Sequence, residues 1–231
     1  MSRALHPAPV GVREITVVVP AHDEAELIGA CLASLDVAAA AVPVPVRVVV
    51  VADTCTDRTL EAVGPHRDVV VVAARNVGLA RAAGFLGADR RPGWWYATTD
   101  ADSRVPADWL AVQLESAIRH DVFVGTVEVT DWSPRAAGLE TEYRRHYSPS
   151  TGHRHIHGTS LALSAESYWS VGGFTAVAAH EDVALIDSCV AAGYAVDWSA
   201  SAPVATSARH SERTPHGFAS YLAALDETRT A

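Results

Sequence analysis

The chain has 231 residues, of which 49% are hydrophobic and 19% are charged, a balance that favours a folded globular protein over a disordered one. It carries 18 basic and 27 acidic residues, a formal net charge of −9, and every basic residue is arginine. A net acidic chain without basic clusters is a poor candidate for nucleic-acid binding, and the missing lysine excludes Schiff-base chemistry and a phosphate-loop lysine.

Cysteine usage and hydropathy indicate an intracellular protein. Cys31, Cys55 and Cys189 are widely spaced and form no Cys-x-x-Cys pair, which favours reduced structural thiols over a disulfide framework or a zinc ribbon. No apolar run approaches the roughly 20 residues of a membrane helix, and residues 1–13 lack the apolar core of a signal peptide. We therefore expect a cytoplasmic protein without a membrane span, formed by a single domain over residues 1–231.

Apolar runs of strand length alternate with helical patterns through the first half of the chain. Strands are predicted at 15–20, 46–51, 69–73 and 94–99, and helices at 25–40, 58–63 and 77–89. Fully apolar strands that alternate with helices are typical of a parallel sheet covered on both faces. The predicted fold class is therefore α/β.

The second half is less regular. The sequence predicts a helix at 106–120, one strand at 122–129 and another strand at 159–163. A short helix at 165–171, a longer helix at 181–192, a strand at 194–198 and a last helix at 218–228 follow. Residues 131–157 are polar, aromatic and rich in histidine without a clear period, a pattern typical of a functional loop or lid.

Asp100 and Asp102 directly follow the predicted strand at 94–99. Side chains at i and i+2 lie on the same side of an extended chain, so both carboxylates can face one divalent cation. An Asp-x-Asp pair by itself is weak evidence and is usually part of a solvated loop. The position strengthens it, because open α/β sheets bind their ligands at the ends of strands.

The order of the motifs resembles the family 2 glycosyltransferases of the GT-A fold, which transfer a sugar from a nucleotide-sugar donor with inversion at the anomeric carbon. The matched segments are VVVPAHDEAELIGACLASL at 17–35, VVVVADTCTDRT at 48–59, NVGLARAAGFLGA at 76–88, DAD at 100–102, GGF at 172–174 and HEDVALIDSCVAAGY at 180–194. Each segment is common, but the ordered set is specific. The resemblance implies a mixed, mainly parallel sheet flanked by helices, a donor half at about 15–105 and an acceptor half at about 106–231.

The first donor residues follow the first two predicted strands. The resemblance implies that the backbone at Pro20 and Ala21 meets the nucleobase or ribose, and that Glu24 accepts hydrogen bonds from ribose hydroxyls. It also implies that Asp53 accepts the ring N–H of the base. The alternatives are a first-turn helix acid for Glu24 and a helix N-cap for Asp53, a place that Asp57 could fill equally well.

Phosphate binding is expected at a helix start and at the C-terminal Arg/His loop. Asn76 and Gly78 open a helix whose free N–H groups suit a phosphate, and Arg81 follows one turn later. The resemblance places a basic residue here near the diphosphate, whereas the alternative for Arg81 is a surface arginine. Arg209 is a candidate clamp for phosphate oxygens, and the alternative is a solvated tail.

A nucleoside diphosphate leaving group develops negative charge, which a divalent metal neutralises. The resemblance implies that Asp102 binds Mn²⁺ or Mg²⁺ through the diphosphate and that Asp100 assists as a second ligand or by bonding ribose. His210 is a candidate third ligand, and its softer imidazole would favour Mn²⁺.

Glu181 and Asp182 resemble the family's acidic pair at the start of an acceptor-side helix. An inverting transfer needs a base that removes the proton of the acceptor hydroxyl as it attacks C1 from the face opposite the diphosphate. Asp182 is the expected base, and Glu181 is the second catalytic candidate. The alternative is that both acids only favour the N-terminus of their helix.

Two aromatic groups precede the acidic pair. His153, His155 and His157 alternate along the chain and would bind a metal or, as we favour, line an acceptor loop or the surface. Trp132, Tyr143 and Tyr147 are candidates to stack on a sugar or an apolar acceptor.

We therefore expect a metal-dependent inverting glycosyltransferase that moves a single sugar to an unidentified hydroxyl acceptor. UDP is the commonest donor nucleotide in the family, and GDP is the alternative. A processive synthase is disfavoured because no Gln-x-x-Arg-Trp signature follows the acidic pair. The rivals are a nucleotidyltransferase, disfavoured because residues 20–24 form no Gly-rich basic loop, and a non-catalytic nucleotide-sugar-binding protein.

Overall fold

Predominantly apolar segments form the strands of the large sheet in a computed structural model that describes residues 11–147, 149–209 and 218–230. The strands are β1 (Glu14–Ala21), β2 (Val46–Asp53), β3 (Asp68–Val72), β4 (Trp94–Thr98), β5 (Val122–Val124), β6 (Val127–Val129), β7 (Leu161–Ser164), β8 (Val196–Trp198) and β9 (Val204–Thr206). The helices are α1 (Ile28–Ala40), α2 (Thr59–Val63), α3 (Val77–Leu86), α4 (Trp109–Ser116), α5 (Leu139–His146), α6 (Ala165–Ser170), α7 (Glu181–Ala192) and α8 (Phe218–Thr230).

Seven of these strands form one sheet in the order β3-β2-β1-β4-β7-β5-β8, and β6 pairs with β9 in a second sheet. β1 is parallel to β2 and β4, β2 is parallel to β3, and β5 is parallel to β8. β7 is antiparallel to its neighbours β4 and β5. The prediction of an α/β fold with a mixed, mainly parallel sheet is confirmed.

Helices cover both faces of the sheet, which explains why its central strands are apolar throughout. Successive side chains of a strand point to opposite faces. In β1, Val17 and Val19 pack in a core with α1 and α4, whereas Val18 packs in a second core with Phe85 of α3 and Tyr168 of α6. Because neither face meets water, the strands do not alternate apolar with polar residues.

The order of the strands determines where a crevice forms at the edge of the sheet. The chain adds β2 and β3 on one side of β1 and then returns to add β4 on the other side. The loops after β1 and β4 therefore separate at the carboxyl ends of these strands, and such a switch point forms a crevice. Glu24 follows β1 and Asp100 follows β4, so both begin at this crevice.

The predicted strand at 122–129 was wrong as a single element. β5 lies in the large sheet and β6 in the small one, and Gly125 lies between them. A Cβ atom at Gly125 would collide with the Ser160 hydroxyl, and the Gly125 N–H donates to the Ser160 carbonyl oxygen at 2.8 Å, so the chain passes close to Ser160 where it leaves the large sheet. The valines on both sides concealed this break.

Two elements of the second half were not predicted. α5 lies inside the segment 131–157, and it buries only Leu139 and Tyr143, too few positions to give a clear helical period. β9 has three residues and forms only with its partner β6. Other predicted boundaries differ by a few residues, since α1 begins at Ile28, α3 ends at Leu86 and α4 covers only Trp109–Ser116. No helix in the described part of the chain is both long and apolar enough to cross a membrane.

Gly84 tests how tightly α3 packs on the sheet. A Cβ atom there would lie 2.5 Å from Val18 Cγ1 and 2.9 Å from Val51 Cγ2, so Gly84→Ala should lower the free energy of unfolding by about 1–3 kcal/mol through overpacking. The matched control is Gly29→Ala in α1, where a Cβ atom would meet nothing within 4 Å. This substitution should raise the free energy of unfolding by about 0.5 kcal/mol, because alanine favours a helix more than glycine does. Urea unfolding followed by circular dichroism measures both, and equal stabilities would contradict this packing.

Candidate active site

A cavity of about 840 Å³ opens at the carboxyl ends of β1, β2 and β4. Most residues that the sequence selected lie on its wall. They are Pro20, Ala21, Glu24, Asp53, Asn76, Arg81, Asp100, Asp102, Glu181, Asp182 and Arg209. Gly78 is not among the residues that line the cavity, and His210 lies outside the described residues. Positions more than 180 residues apart therefore meet in one cavity.

Asp53 shapes the loop between β3 and α3. Its carboxylate accepts hydrogen bonds from the backbone N–H groups of Ala74, Arg75 and Asn76 at 2.8, 2.9 and 2.9 Å. Burial raises the pKa of Asp53, but these N–H groups outweigh burial and bring the pKa below its ordinary value. The carboxylate is therefore ionised, and it holds Arg75 at a φ of 46°. Asp53 does not cap α2. The Thr59 N–H at the start of that helix donates to Asp57 Oδ1 instead.

Asn76 caps α3 and ties it to the loop before α7. Its side-chain oxygen accepts the N–H of Leu79 at 2.9 Å, and its amide nitrogen donates to the carbonyl of Val177 at 2.8 Å. Gly78 follows inside the helix, where a Cβ atom would collide with the carbonyl of Thr175. The Asn-Val-Gly motif thus brings α3 against the approach to α7.

Arg81 is a buried bridge and not a surface residue. Its side chain is 3% exposed and donates one Nη to Asp100 Oδ1 at 2.6 Å and the other Nη to Glu181 Oε1. Burial lowers the pKa of Arg81, but the two carboxylates outweigh it and raise the pKa above its ordinary value. Arg81 is therefore charged, and its fork joins the loop after β4 to the start of α7.

Gly158 makes room for this bridge. A Cβ atom at Gly158 would lie 2.5 Å from both Nη atoms of Arg81. The Gly158 N–H donates to Asp182 Oδ2 at 2.8 Å, and Asp182 Oδ1 accepts the N–H of Val183 at 2.9 Å. Asp182 is thus oriented by backbone groups, and its side chain is half-buried on the cavity wall.

The two members of the acidic pair differ in environment. Glu181 is 5% exposed and forms a salt bridge with Arg81, whereas Asp182 forms no salt bridge among the described residues and acts on Arg81 only through its charge, which helps to raise the pKa of that arginine. A base must accept a proton from a bound hydroxyl, so an accessible carboxylate without a salt bridge suits that role better. The geometry favours Asp182 over Glu181.

Arg209 closes the other side of the Asp pair. Its Nη2 contacts Glu24 Oε1 and lies 3.2 Å from Asp102 Oδ2. The unpredicted strand β9 brings it there, because Arg104 and Ala205 exchange backbone hydrogen bonds and the Ser103 hydroxyl donates to Thr206 Oγ1 at 3.0 Å. Arg209 is therefore part of the site and is not in a solvated tail.

Asp102 lies among like charges. Burial and the neighbouring Asp100 carboxylate raise the pKa of Asp102 to about 6, against the opposing effect of Arg209. Concentrated carboxylate charge of this kind attracts cations, and hard oxygen ligands suit Mg²⁺ or Mn²⁺. The described residues include no group of three or more His, Cys, Asp or Glu side chains arranged to hold a metal. Asp100 and Asp102 fit a metal whose remaining coordination is completed by oxygens of water or of a bound ligand.

Aromatic and imidazole rings form another part of the cavity wall. His155 and His157 line the cavity with Tyr147, Phe218 and Tyr221. The His155 and His157 rings are nearly parallel, with centroids 6.3 Å apart, and His155 lies 4.5 Å from Tyr147. Burial, with smaller contributions from His155 and His153, lowers the pKa of His157 to about 4, so this imidazole is neutral at pH 7.

The remaining aromatic candidates have other roles. His153 is buried, and its Nε2 lies 3.2 Å from the carbonyl oxygen of Ser199. Tyr143 packs in a small core between α5 and α8, with Trp132 against it. Sequence reasoning missed Phe218 and Tyr221, although an aromatic pair at i and i+3 on α8 marks one face of that helix.

Comparisons with known proteins agree with this architecture. Residues 16–172 match the family model of Glycosyl transferase family 2. The structure of S. aureus TarS 1-349 in complex with UDP-GlcNAc superposes with a TM-score of 0.65 at 16% identity, covering 89% of this chain and 61% of that chain. Comparison with curated proteins gave no match.

A second solved structure has the same fold. The mannosyltransferase PcManGT from Pyrobaculum calidifontis, in complex with GDP-Man and Mn²⁺, gives a TM-score of 0.53 at 23% identity, covering 85% of this chain and 57% of that chain. The chain thus spans about three fifths of the length of each structure. Because the family model matches more than half of the chain, and the sheet is that of these GT-A neighbours, the chain belongs to glycosyl transferase family 2.

Proposed function

We propose that the chain is an inverting glycosyltransferase that moves a single sugar from a nucleoside diphosphate sugar to a hydroxyl acceptor. One observation carries the proposal: Asp100 and Asp102 share a cavity with Asp182, and Arg81 joins the two sides. Carboxylates for a metal and a separate accessible carboxylate for a proton are the two requirements of a metal-assisted transfer. Family membership and the nucleotide-sugar complexes of both neighbours support it.

The donor half supplies the nucleotide site. Pro20 and Ala21 end β1 on the cavity wall, and Asp53 holds the neighbouring loop around the same wall. Glu24 faces the cavity as the acceptor for ribose hydroxyls. One neighbour binds UDP-GlcNAc and the other binds GDP-Man, so a nucleoside diphosphate sugar is the shared donor class. We infer UDP as the donor nucleotide and GDP as the alternative.

Asp102 and Asp100 are the residues that would hold Mn²⁺ or Mg²⁺. Such a metal would neutralise the negative charge that develops on the departing diphosphate. Mn²⁺ in one neighbour supports this assignment. Arg81 already neutralises Asp100 on its protein side, so we infer Asp102 as the principal ligand.

Asp182 acts as the general base. It takes the proton of the acceptor hydroxyl while that oxygen forms a bond to C1 of the sugar, and the bond from C1 to the diphosphate oxygen breaks with its electron pair leaving on the diphosphate. The Gly158 N–H fixes the carboxylate for this transfer. Glu181 positions the base, because its own charge is taken up by Arg81.

The acceptor binds against the wall of rings. His155 and Phe218 offer flat surfaces that stack on the C–H faces of a sugar or on an apolar group, and the buried Tyr147 packs against His155. The neutral imidazole of His157 adds no charge there at pH 7. This wall suits an uncharged acceptor group.

Nucleotide binding tests the donor half. UDP, GDP and dTDP, each with and without Mn²⁺, should be compared by thermal shift, since a ligand that binds the folded state raises the apparent melting temperature. We expect one diphosphate to raise it, and to raise it further with Mn²⁺. Failure of every diphosphate would contradict the proposed donor site.

Asp182→Asn tests the base. Loss of the proton acceptor should lower sugar transfer or donor hydrolysis by about 10²–10⁴-fold, while binding of the diphosphate with Mn²⁺ is retained. The matched control is Asp187→Asn on the exposed face of the same helix, which should leave turnover unchanged. A parent protein that binds donor without turnover would instead be the non-catalytic binding protein.

Glu181→Gln tests the division of roles within the pair. Glutamine keeps an oxygen that accepts from Arg81, so we expect turnover to fall by no more than about tenfold, and the free energy of unfolding to fall by about 1–3 kcal/mol. Steady-state kinetics and urea unfolding measure the two effects. A loss of turnover equal to that of Asp182→Asn would show that Glu181 is itself catalytic.

A further inference from the structure

Arg209 occupies a position that a cation bound by the Asp pair would need. Its Nη2 lies 3.2 Å from Asp102 Oδ2 and also contacts Glu24 Oε1. Under the proposed function Asp102 is the principal metal ligand and Glu24 is the ribose acceptor. One guanidinium group therefore covers two groups that the donor and its metal are expected to use.

Buried charge explains why the guanidinium lies there. The Glu24 side chain is 9% exposed and the Asp102 side chain 21%, so neither carboxylate is well hydrated. Carboxylates in such an environment require a nearby cation. Arg81 takes up the charge of Asp100, and Arg209 takes up that of Asp102 and Glu24.

The backbone of Arg209 is held while its long side chain reaches the carboxylates. Arg135 donates from Nε to the carbonyl oxygen of Ala208 at 2.5 Å and from Nη2 to that of Arg209 at 2.9 Å. The side chain has four rotatable bonds beyond this anchor. It can change partner without displacement of β9.

We propose that Arg209 is the resident cation of the ligand-free donor site, and that a divalent metal displaces its guanidinium from Asp102 and Glu24. A metal on Asp102 and a guanidinium on the same carboxylate repel each other, so they compete for it. A diphosphate beside the metal then offers the released guanidinium a bidentate anionic partner. The Glu24 Oε1 atom then loses its contact with Arg209 and accepts from ribose hydroxyls instead. This inference rests on the proposed function for the identity of the metal and the diphosphate.

The proposal predicts effects of opposite sign for one substitution. Arg209→Gln removes the competitor, so the affinity for Mn²⁺ alone should rise by about tenfold. The same change removes the phosphate partner, so the affinity for UDP at saturating Mn²⁺ should fall by about tenfold. A residue that only stabilised the fold would weaken both.

The Mn²⁺ arm is measured by electron paramagnetic resonance of free Mn²⁺ during titration of the parent, Arg209→Gln and Arg75→Gln. Arg75 lies on the same cavity wall, and its side chain forms no ion pair within the described residues. Arg75→Gln removes the same charge without freeing a carboxylate, so it should change Mn²⁺ affinity by less than about twofold. The UDP arm is measured by isothermal titration calorimetry of the parent and Arg209→Gln.

Three results would overturn the proposal. They are a Mn²⁺ affinity of Arg209→Gln no higher than that of the parent, an equal gain in Arg75→Gln, and a UDP affinity that Arg209→Gln leaves unchanged. Thermal melts of each variant without ligand verify that the proteins compared are folded. The Mn²⁺ arm contains no sugar donor and measures no turnover, so its failure is distinguishable from failure of the glycosyltransferase assignment.

Discussion

The ion bridge of Arg81 is the interaction on which the rest of the site depends. It lies between a carboxylate that follows β4 and one that begins α7, so it fixes the distance between these two elements on the cavity wall. The Arg81 side chain is only 3% exposed, and its burial is tolerated because each of its two Nη groups contacts a carboxylate. Gly158 permits the bridge directly, because a Cβ atom there would lie 2.5 Å from both Nη atoms of Arg81. Gly78 lets α3 approach the Thr175 carbonyl and the side chain of Glu181, which is one of the two carboxylates that bind Arg81.

Two arginines supply positive charge to the cavity, and their side chains differ in exposure. Arg81 is enclosed on all sides and joins elements of the core, so it serves as a fixed part of the frame. Arg209 is 26% exposed and reaches its carboxylates from the end of a two-stranded sheet. Asp182 is held only by backbone N–H groups, which leaves its charge available for chemistry. Under the proposed function, structural support, ligand binding and proton transfer are therefore assigned to separate carboxylates.

Sequence reasoning selected residues that line one cavity, but it did not reveal how those residues are paired. Asp53 lies on the cavity as expected, but its hydrogen bonds go to the loop at 74–76, which no local pattern reveals. Glu181 and Arg81 were assigned separate functions, because residues 100 positions apart carry no signal that they pair. Arg209 was recognised as a phosphate candidate, yet its contact with Glu24 depends on β9, a strand too short to predict.

By itself the sequence determined the alternation of buried strands and helices, since a strand covered on both faces must be apolar along its whole length. From that alternation it also determined which carboxylates end strands or begin helices, and hence which edge of the sheet holds the site. Only the tertiary structure decided how those charges are paired. Pairing depends on the crossing of α3 with α7 and on the return of β9, and both are fixed by packing over long sequence separations and not by any local preference.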